Sequence, residues 1–302
     1  MKNELPLVTV VIASYNHLAF LEEAVASVRE QDYPSDKVEL IIMDDASKDG
    51  SQDWIRNNQS KYNYTFVLRQ KNRGLANNLN SALMMAHGSY FCVLASDDKW
   101  RSNKLSMQVA FLEERKDLVG VSGNAVKIDK NGDIYPDKYQ RICPNGEWGF
   151  AEIMVRKHRL PTVNLVLRTD ALKNAGGYNG KFKAEDHYIL LRLSSVGGKF
   201  ALLPEIMGEY RIHGSNTFSK ALVMYNDLNA QLAEYKDHHL YTAAVKALRR
   251  VYFEQLSREH KMKALSILPD VIGSSKLFYK GVLHLLTPKS IMRYRQQQLV
   301  QS

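Results

Sequence analysis

The segment Tyr90-Phe-Cys-Val-Leu-Ala-Ser-Asp-Asp-Lys-Trp100 decides how the rest of the sequence is interpreted. Residues 90–95 are apolar, aromatic or β-branched, which predicts a buried strand. Two adjacent carboxylates, Asp97 and Asp98, follow directly after Ser96. Ligands of open α/β sheets bind beyond the carboxyl ends of the strands, and Mg²⁺ and Mn²⁺ prefer oxygen ligands. The two carboxylates therefore mark a candidate site for a divalent cation.

The same two carboxylates have a second interpretation. An amphipathic run begins at Arg101, and acidic residues stabilise the start of a helix by capping its free N–H groups and complementing its dipole. The segment alone leaves both interpretations open.

Three further strand–helix units precede this segment. The predicted strands cover residues 7–14, 38–43 and 64–68, and apolar residues at three- and four-residue spacing follow each of them. This alternation predicts right-handed βαβ units and a parallel sheet. The polar groups at the strand ends are Ser14-Tyr15-Asn16, Asp44-Asp45 and Asp97-Asp98. Because the carboxyl ends of parallel strands share one edge, we expect these groups to lie on one rim.

These polar residues also have purely structural interpretations. Tyr15 could be a simple aromatic residue at a strand end. Asp44 and Asp45 could form a turn, because Asp hydrogen-bonds its own backbone. The segment 72–78 could shape a loop and cap a helix. No glycine-rich dinucleotide or P-loop motif is present, so a nucleotide would need another mode of binding.

The composition is that of an ordinary globular protein. The 302 residues are 45% hydrophobic and 24% charged, which does not favour disorder. Two cysteines make no disulfide framework, residues 1–6 contain no signal-peptide core, and no apolar run approaches the roughly 18–20 residues that span a bilayer. These features predict a cytoplasmic protein.

Positive charge is concentrated towards the C-terminus. Of the net +9, residues 220–302 carry +7, from 13 Lys/Arg against 6 Asp/Glu, and residues 271–302 hold five basic residues and no acid. This asymmetry predicts an anionic partner for that part of the chain.

Taken together, the motifs of residues 7–100 resemble the nucleotide-sugar-binding half of a family 2 glycosyltransferase with the GT-A fold. Ala13 stands where this family often has Pro or Thr, and Ser96 replaces the first acid of its D-x-D motif. The matching segments are Val8-Thr-Val-Val-Ile-Ala-Ser-Tyr-Asn16, Ile41-Ile-Met-Asp-Asp-Ala-Ser-Lys-Asp-Gly-Ser51, Asn72-Arg-Gly-Leu-Ala-Asn-Asn78 and Ser96-Asp-Asp98.

The resemblance implies that the rim holds a nucleotide-sugar donor. It assigns the base and ribose to residues 13–15 and Asp45, and it implies that Arg73 lies near the nucleotide or its phosphates and Asp97 near the ribose or sugar. Asp98 would ligate the cofactor, Mn²⁺ or Mg²⁺. The donor-binding residues implied in this way are Ala13, Ser14, Tyr15, Asn16, Asp44, Asp45, Arg73, Asn78, Ser96 and Asp97.

A second group of acids lies at Ala184-Glu185-Asp186-His187, after Gly176-Gly-Tyr178. In family 2 transferases an E-D at this location supplies the catalytic base, so the resemblance assigns that role to Asp186, with Glu185 beside it. Inverting transfer needs a carboxylate that takes the proton of the acceptor hydroxyl. Without the resemblance, the two acids would be interpreted as complementing the dipole of the helix that follows.

The segment Tyr210-Arg-Ile-His-Gly-Ser-Asn216 resembles the Y-R-x-H-x-x-[NS] motif at the end of many family 2 catalytic domains. The resemblance implies that Arg211, counted among the donor-binding residues, and His213 meet the donor diphosphate or the metal, and that His213 would complete the metal shell that Asp98 begins. A histidine in a turn is also common as a plain surface residue.

Beyond residue 219 the pattern is wholly helical. We therefore expect a catalytic domain over residues 1–218, with a nucleotide-sugar half 1–100 and an acceptor half 101–218, and a basic helical region over residues 219–302. The amphipathic segment within residues 271–302 predicts contact with an anionic membrane surface. The alternative is that these helices pack on the core or pair two protomers. No nucleic-acid-binding motif is present, so nucleic acid is not an expected partner.

The fold class predicted for the whole chain is α/β, a GT-A type, Rossmann-like, mostly parallel sheet flanked by helices, with a C-terminal α-helical region. The predicted function is metal-dependent, inverting, non-processive transfer of a sugar from a nucleotide-sugar, with UDP favoured, to a hydroxyl of a glycan or lipid-linked acceptor in bacterial surface polysaccharide synthesis. The alternatives are a sugar nucleotidyltransferase and a non-catalytic nucleotide-sugar-binding module.

Overall fold

The computed structural model describes residues 4–158, 160–213, 221–272 and 276–287. The chain forms two compact units. The first comprises Met1–Ile153 with His158–Gly214, and the second comprises Met154–Lys157 with Ser215–Ser302.

The first unit is built on a mixed β-sheet. Within the described residues the sheet has nine strands, in the order β3-β2-β1-β4-β8-β6-β9-β5, with β7 paired to β9. The strands are β1 (Val8–Ser14), β2 (Val38–Asp44), β3 (Thr65–Leu68), β4 (Tyr90–Ala95), β5 (Lys99–Trp100), β6 (Gly120–Ile128), β7 (Gly146–Trp148), β8 (Val166–Arg168) and β9 (Phe200–Arg211).

The first four long strands are parallel, as the sequence predicts. β1 pairs with both β2 and β4, and β2 pairs with β3. Six of the seven residues of β1 are buried, which is the pattern of a central strand covered on both faces. The alternation of strands and helices therefore gives the expected Rossmann-like half-sheet.

Antiparallel pairs enter the sheet in its second half. β8 runs antiparallel to both β4 and β6, whereas β6 and β9 are parallel. The short strands β5 and β7 pair antiparallel with β9. The carboxyl end of β9 also lies close to the residues that follow β4. There the backbone N–H of Arg211 donates to the side chain of Asp98.

The strand ends form one rim, as predicted. The register sets Ser14 opposite Asp44 and Ala13 opposite Ala95. Past the strands, the backbone N–H of Ser96 donates to the carbonyl of Ala13. The polar residues that follow β1, β2 and β4 therefore start side by side.

The helices of the first unit fill the connections between the strands. They are α1 (Leu18–Arg29), α2 (Ser51–Tyr62), α3 (Leu75–Met85), α4 (Lys104–Glu114), α5 (Phe150–Met154), α6 (Thr169–Asn174) and α7 (Glu185–Ser195). The position of α4 removes one alternative for Asp97 and Asp98. The strand β5 lies between these acids and α4, so they do not cap that helix.

The second unit is helical, as predicted. Its helices in the described residues are α8 (Ala221–Ala233), α9 (Tyr241–Glu259), α10 (Lys261–Ile267) and α11 (Lys276–Leu286). The long helix α9 packs against α8, α10 and α11. Of the predicted basic segment within residues 271–302, residues 273–275 and 288–302 lie outside the described residues. Among the residues that the structure describes, no helix combines the length and the apolar composition needed to cross a bilayer.

One charged side chain of the core has no hydrogen-bond partner. Lys104, the first residue of α4, is fully buried, and its Nζ atom lacks a hydrogen bond to any described residue. The ammonium group lies 3.9 Å from the ring centre of Trp100. Burial lowers the pKa of Lys104 to about 8, because an apolar environment disfavours the charged form.

We expect Lys104→Met to stabilise the fold at pH 7. The buried ammonium lowers the free energy of unfolding by its full amount below pH 8, where Lys104 is protonated in both the folded and the unfolded chain. This penalty disappears as the pH rises through 10.5, the ordinary pKa of lysine. Urea denaturation at pH 7 and pH 10.5 measures the difference in unfolding free energy between variant and wild type. That difference should shrink by about 3 kcal/mol at the higher pH, and a difference that does not change with pH would contradict the argument.

Candidate active site

A cavity of about 170 Å³ joins the two groups of acids that the sequence singles out. Ala13 and Asp98 line it at the ends of β1 and β4, and Glu185 and Asp186 line it from α7. Most of the remaining wall is apolar, with Phe91 among its residues. Residues that are far apart in sequence therefore share one hollow at the rim of the sheet.

Asp98 is held in a buried position beside this cavity. Its Oδ1 atom accepts a hydrogen bond of 2.7 Å from the backbone N–H of Arg211, and only 3% of the residue is exposed. Burial and the neighbouring charge of Asp97 raise the pKa of Asp98 well above its ordinary value. An ionised Asp98 therefore needs positive charge nearby.

Asp97 belongs to a cluster with two histidines. Its Oδ2 atom lies 2.9 Å from Nε2 of His213, and its Oδ1 atom lies 3.7 Å from Nδ1 of His17. One ligand atom from each of the three residues lies within 4.8 Å of the others. The resemblance placed His213 in the metal shell of Asp98, whereas in the structure its ring lies beside Asp97. The reason is that the turn after β4 directs the Asp98 carboxylate towards the backbone of β9.

The cluster fits a divalent cation. Adjacent ligands of an octahedral ion with bonds of about 2.1 Å are about 3 Å apart, close to the separation of Asp97 and His213. Carboxylate oxygen and imidazole nitrogen are both common ligands of Mn²⁺. A bound cation would also neutralise the excess negative charge of Asp97 and Asp98.

Arg211 is held within the fold beside the two acids. The side chain is fully buried, and its guanidinium donates to the backbone carbonyls of Asp97, Asp129 and Lys130 and to the carboxylate of Glu23. All of these acceptors belong to the protein, so the guanidinium is hydrogen-bonded within the fold. Arg211 thereby positions the segment that carries the two acids.

Asp44 and Ser14 form internal contacts of the rim. Asp44 is fully buried and accepts hydrogen bonds from the Ser14 hydroxyl, from both N–H and hydroxyl of Ser47, and from the Gln52 amide. This is the turn-forming role that the sequence left open for Asp44. Asp45 is also hydrogen-bonded to the protein.

Asp45 fixes the loop before α3. Its two carboxylate oxygens accept from the backbone N–H groups of Arg73 and Gly74, at 2.7 and 2.9 Å. This contact brings the side chain of Arg73 to the same rim, where the residue is exposed. Asn78 is only 2% exposed, and its side-chain carbonyl accepts from Arg69. Asn78 therefore lies on the buried side of this loop.

The remaining residues of the rim differ in exposure. Tyr15 is 48% exposed and Asn16, which has a positive φ of 55°, is exposed beside it. Ser96 is fully buried, and its hydroxyl lies 3.0 Å from Nδ1 of His17. An accessible aromatic ring at this rim is available to stack on a planar ligand.

The two acids of α7 lie in the first turn of that helix. The Oδ2 atom of Asp186 accepts a hydrogen bond of 2.6 Å from the Thr162 hydroxyl, and the carboxylate lines the cavity. Burial and the charges of Glu185 and Asp186 raise the pKa of Tyr178, another cavity residue, so its hydroxyl stays protonated. The helix-dipole interpretation of both acids is compatible with this position.

Three residues of this site were not predicted from the sequence. They are His17, which lies beside Asp97 and Ser96, and Thr162 and Tyr178, which line the cavity. A signal existed for His17, since it directly follows the polar residues after β1 and so lies on the same rim. The contact of Thr162 with α7 depends on tertiary packing and has no local signal.

Comparison with known families identifies the class of protein. A model described as glycosyl transferase family 2 matches residues 9–177, more than half of the chain. The chain therefore belongs to glycosyl transferase family 2, as the resemblance of its motifs implied.

The chain is also similar to individual proteins. It is 38% identical over 124 residues to the putative teichuronic acid biosynthesis glycosyltransferase TuaG of Bacillus subtilis, an alignment that covers 41% of this chain and 48% of TuaG. This chain thus spans about half the length of that relative.

Two solved structures share the fold. TarS of S. aureus, residues 1–349 in complex with UDP-GlcNAc, has a TM-score of 0.66 at 19% identity, over 91% of this chain and 81% of that one. The mannosyltransferase PcManGT of Pyrobaculum calidifontis, in complex with GDP-Man and Mn²⁺, has a TM-score of 0.64 at 18% identity, over 99% and 86%. These likenesses confirm the GT-A fold.

We expect Arg211→Met to destabilise the fold by about 3 kcal/mol, because it leaves buried carbonyls without a donor while it keeps the backbone N–H that binds Asp98. Chemical denaturation measures the loss. The exposed Arg141 provides the matched control, and Arg141→Met should change the unfolding free energy by less than about 0.5 kcal/mol. Equal effects of the two substitutions would contradict the positioning role.

Proposed function

We propose that this protein is a metal-dependent, inverting glycosyltransferase that moves one sugar at a time from a nucleotide-sugar donor to an acceptor hydroxyl. The observation that carries the proposal is the cavity shared by Asp98 and Asp186. Donor and acceptor of an inverting transfer must meet with the leaving group on one face of the sugar and a proton acceptor on the other. A cavity with one carboxylate from β4 and another from α7 supports that arrangement.

Asp186 is the proposed catalytic base. Its carboxylate accepts the proton of the acceptor hydroxyl while the hydroxyl oxygen bonds to the anomeric carbon, and the bond from that carbon to the diphosphate oxygen breaks. The transition state has oxocarbenium character, as in glycoside hydrolysis. The hydrogen bond from Thr162 fixes the orientation of the carboxylate. Glu185, in the same turn and on the same cavity, adds negative potential beside the developing positive charge.

The proposed cation ligands are Asp97, His213 and His17, with Asp98 beside them. A bound Mn²⁺ or Mg²⁺ would neutralise charge on the leaving diphosphate. The buried pair Asp97–Asp98 supplies the negative potential that selects a cation, and Arg211 holds the pair in place through the carbonyl of Asp97 and the carboxylate of Asp98. This assignment revises the set inferred from sequence, in which Asp98 and His213 were the ligands.

The donor nucleoside is proposed to bind at the rim beside Tyr15. The exposed ring offers a stacking surface for the base. Asp45 orders the loop of Arg73, whose charge suits the donor phosphates. Solved structures with the same fold hold UDP-GlcNAc, UDP or GDP-Man. We propose UDP as the nucleotide of the donor.

The acceptor is proposed to be a hydroxyl of a glycan or a lipid-linked glycan in surface polysaccharide synthesis. The likeness to a relative named for teichuronic acid biosynthesis supports this class of acceptor. Transfer of single residues is favoured over processive synthesis, since the sequence has no Q-x-x-R-W segment.

We expect Asp186→Asn to lower the rate of sugar transfer by about 10²–10⁴-fold, because the amide cannot take the proton of the acceptor. Calorimetric titration with UDP-sugar and Mn²⁺ should give donor affinity close to wild type. Asp170→Asn is the matched control, since Asp170 is an exposed acid in the first turn of another helix, α6, and it should leave both measurements unchanged. Transfer that survives at the wild-type rate in Asp186→Asn would contradict the role of Asp186 as the base, and wild-type protein that binds donor without any transfer would favour a non-catalytic binding module.

We expect His213→Ala and His17→Ala each to weaken Mn²⁺ binding about tenfold or more. Titration of Mn²⁺ followed by electron paramagnetic resonance measures the affinity without donor or turnover. Pulsed electron paramagnetic resonance should also show a weaker coupling between the bound Mn²⁺ and imidazole nitrogen in each variant. His87→Gln is the control, because His87 is exposed and its ring contacts Glu39 instead of the cluster. Unchanged affinity in His213→Ala would remove that histidine from the site.

A further inference from the structure

Helix α11 is apolar on two opposite sides. One side faces α9: Gly281 lies so close to Phe253 that a Cβ atom would come within 2.6 Å of that ring, and Phe278 stacks on it at 5.9 Å between ring centres. The other side carries Tyr279, Leu283 and Leu286, which are 69%, 58% and 78% exposed. Their spacing of four and three residues aligns them along one stripe. An apolar stripe that the fold does not bury needs an explanation.

Helix α10 also carries exposed apolar residues, and its start is hydrogen-bonded to the end of α11. The ammonium group of Lys261, at the start of α10, donates to the carbonyls of Leu285 and Thr287 at the end of α11. This contact ties the start of α10, where Met262 is the second residue, to the end of α11. Met262 is 80% exposed, and Leu265, one helical turn further along, is 49% exposed. We call these five residues the α10–α11 apolar surface: Met262, Leu265, Tyr279, Leu283 and Leu286.

The segment that carries this surface is basic. Residues 261–302 contain seven Lys or Arg and one acid, Asp270, and that acid is paired with Arg249. Lys280 lies on α11 next to Tyr279; its side chain is 57% exposed, and its Nζ atom lies 3.6 Å from the carboxylate of Glu254 on α9. The segment therefore combines an exposed apolar surface with a net positive charge.

We propose that the α10–α11 apolar surface docks on an anionic lipid bilayer. Exposed apolar side chains enter the boundary between headgroups and acyl chains, and lysines beside them contact anionic headgroups. Charge favours this occupant over a second copy of the chain, since pairing two such surfaces would bring like charges together. The inference is independent of the donor and of the transfer reaction, and it would bring the enzyme to lipid-linked acceptors.

Vesicle flotation of the full chain tests the proposal. Wild-type protein should float with vesicles that contain phosphatidylglycerol, bind at least about tenfold less to pure phosphatidylcholine, and be released as the salt concentration rises. The variant Leu283→Gln/Leu286→Gln should lose at least about tenfold in partitioning. Both changes lie on exposed positions, so circular dichroism should give an unchanged helix content.

The matched control is Met84→Gln. Met84 is 80% exposed, as much as Met262, but it lies on α3 in the other unit. This variant should float like wild type. Leu286→Trp adds a direct readout, because an indole at this position should shift its emission to shorter wavelength when anionic vesicles are added.

Two results would overturn the proposal. The first is a failed binding test: wild-type protein stays unbound with anionic vesicles at low salt, or the Leu283→Gln/Leu286→Gln variant binds as well as wild type. The second is light scattering that gives a dimer for wild type and a monomer for the double variant, because the surface would then be an interface between two copies. Neither result would affect the transfer reaction, which Asp186→Asn tests separately.

Discussion

The structure depends on two adjacent carboxylates held out of water at the end of a central strand. Asp97 and Asp98 are 8% and 3% exposed, and two such charges at this depth repel each other and lose hydration. Hydrogen bonds from Arg211 offset part of this free-energy cost. Its guanidinium donates to the carbonyl of Asp97, and its backbone N–H donates to the carboxylate of Asp98. The remaining need for positive charge is what makes this end of β4 a candidate cation site, with His17 and His213 beside Asp97.

The sheet topology provides the neighbours of this pair. β4 lies between β1 and β8, so the end of β1 brings Tyr15 and His17 to one side of the acids. β9 returns to the same region and ends at Arg211, two residues before His213. The cavity then extends to Asp186 at the start of α7. Four segments that are distant in sequence thus supply the groups that the proposed transfer requires: a stacking surface, a cation site and a proton acceptor.

Sequence patterns predicted the elements better than the directions of side chains. Residues 90–95 are a strand, the polar strand ends share one rim, and the second unit is helical, because apolar periodicity is a local property. The partners of Asp98 and Arg211 were not predictable in this way. Whether a guanidinium meets a diphosphate or the carbonyls of its own protein depends on packing between β4, β9 and the loop at Asp129. The place of His17 on the rim follows from its position after β1, but its contact with Ser96 joins residues 79 positions apart and depends on packing.

The central claim is that a cation beside Asp97 and a proton acceptor at Asp186 face the same sugar. A crystal structure with UDP-sugar and Mn²⁺, recorded at the manganese absorption edge, tests it most directly. The account predicts an anomalous peak about 2.2 Å from Asp97 and from Nε2 of His213, with the anomeric carbon in the cavity and the Asp186 carboxylate on the side opposite the diphosphate. A peak remote from these ligands, or a sugar bound away from Asp186, would contradict the account.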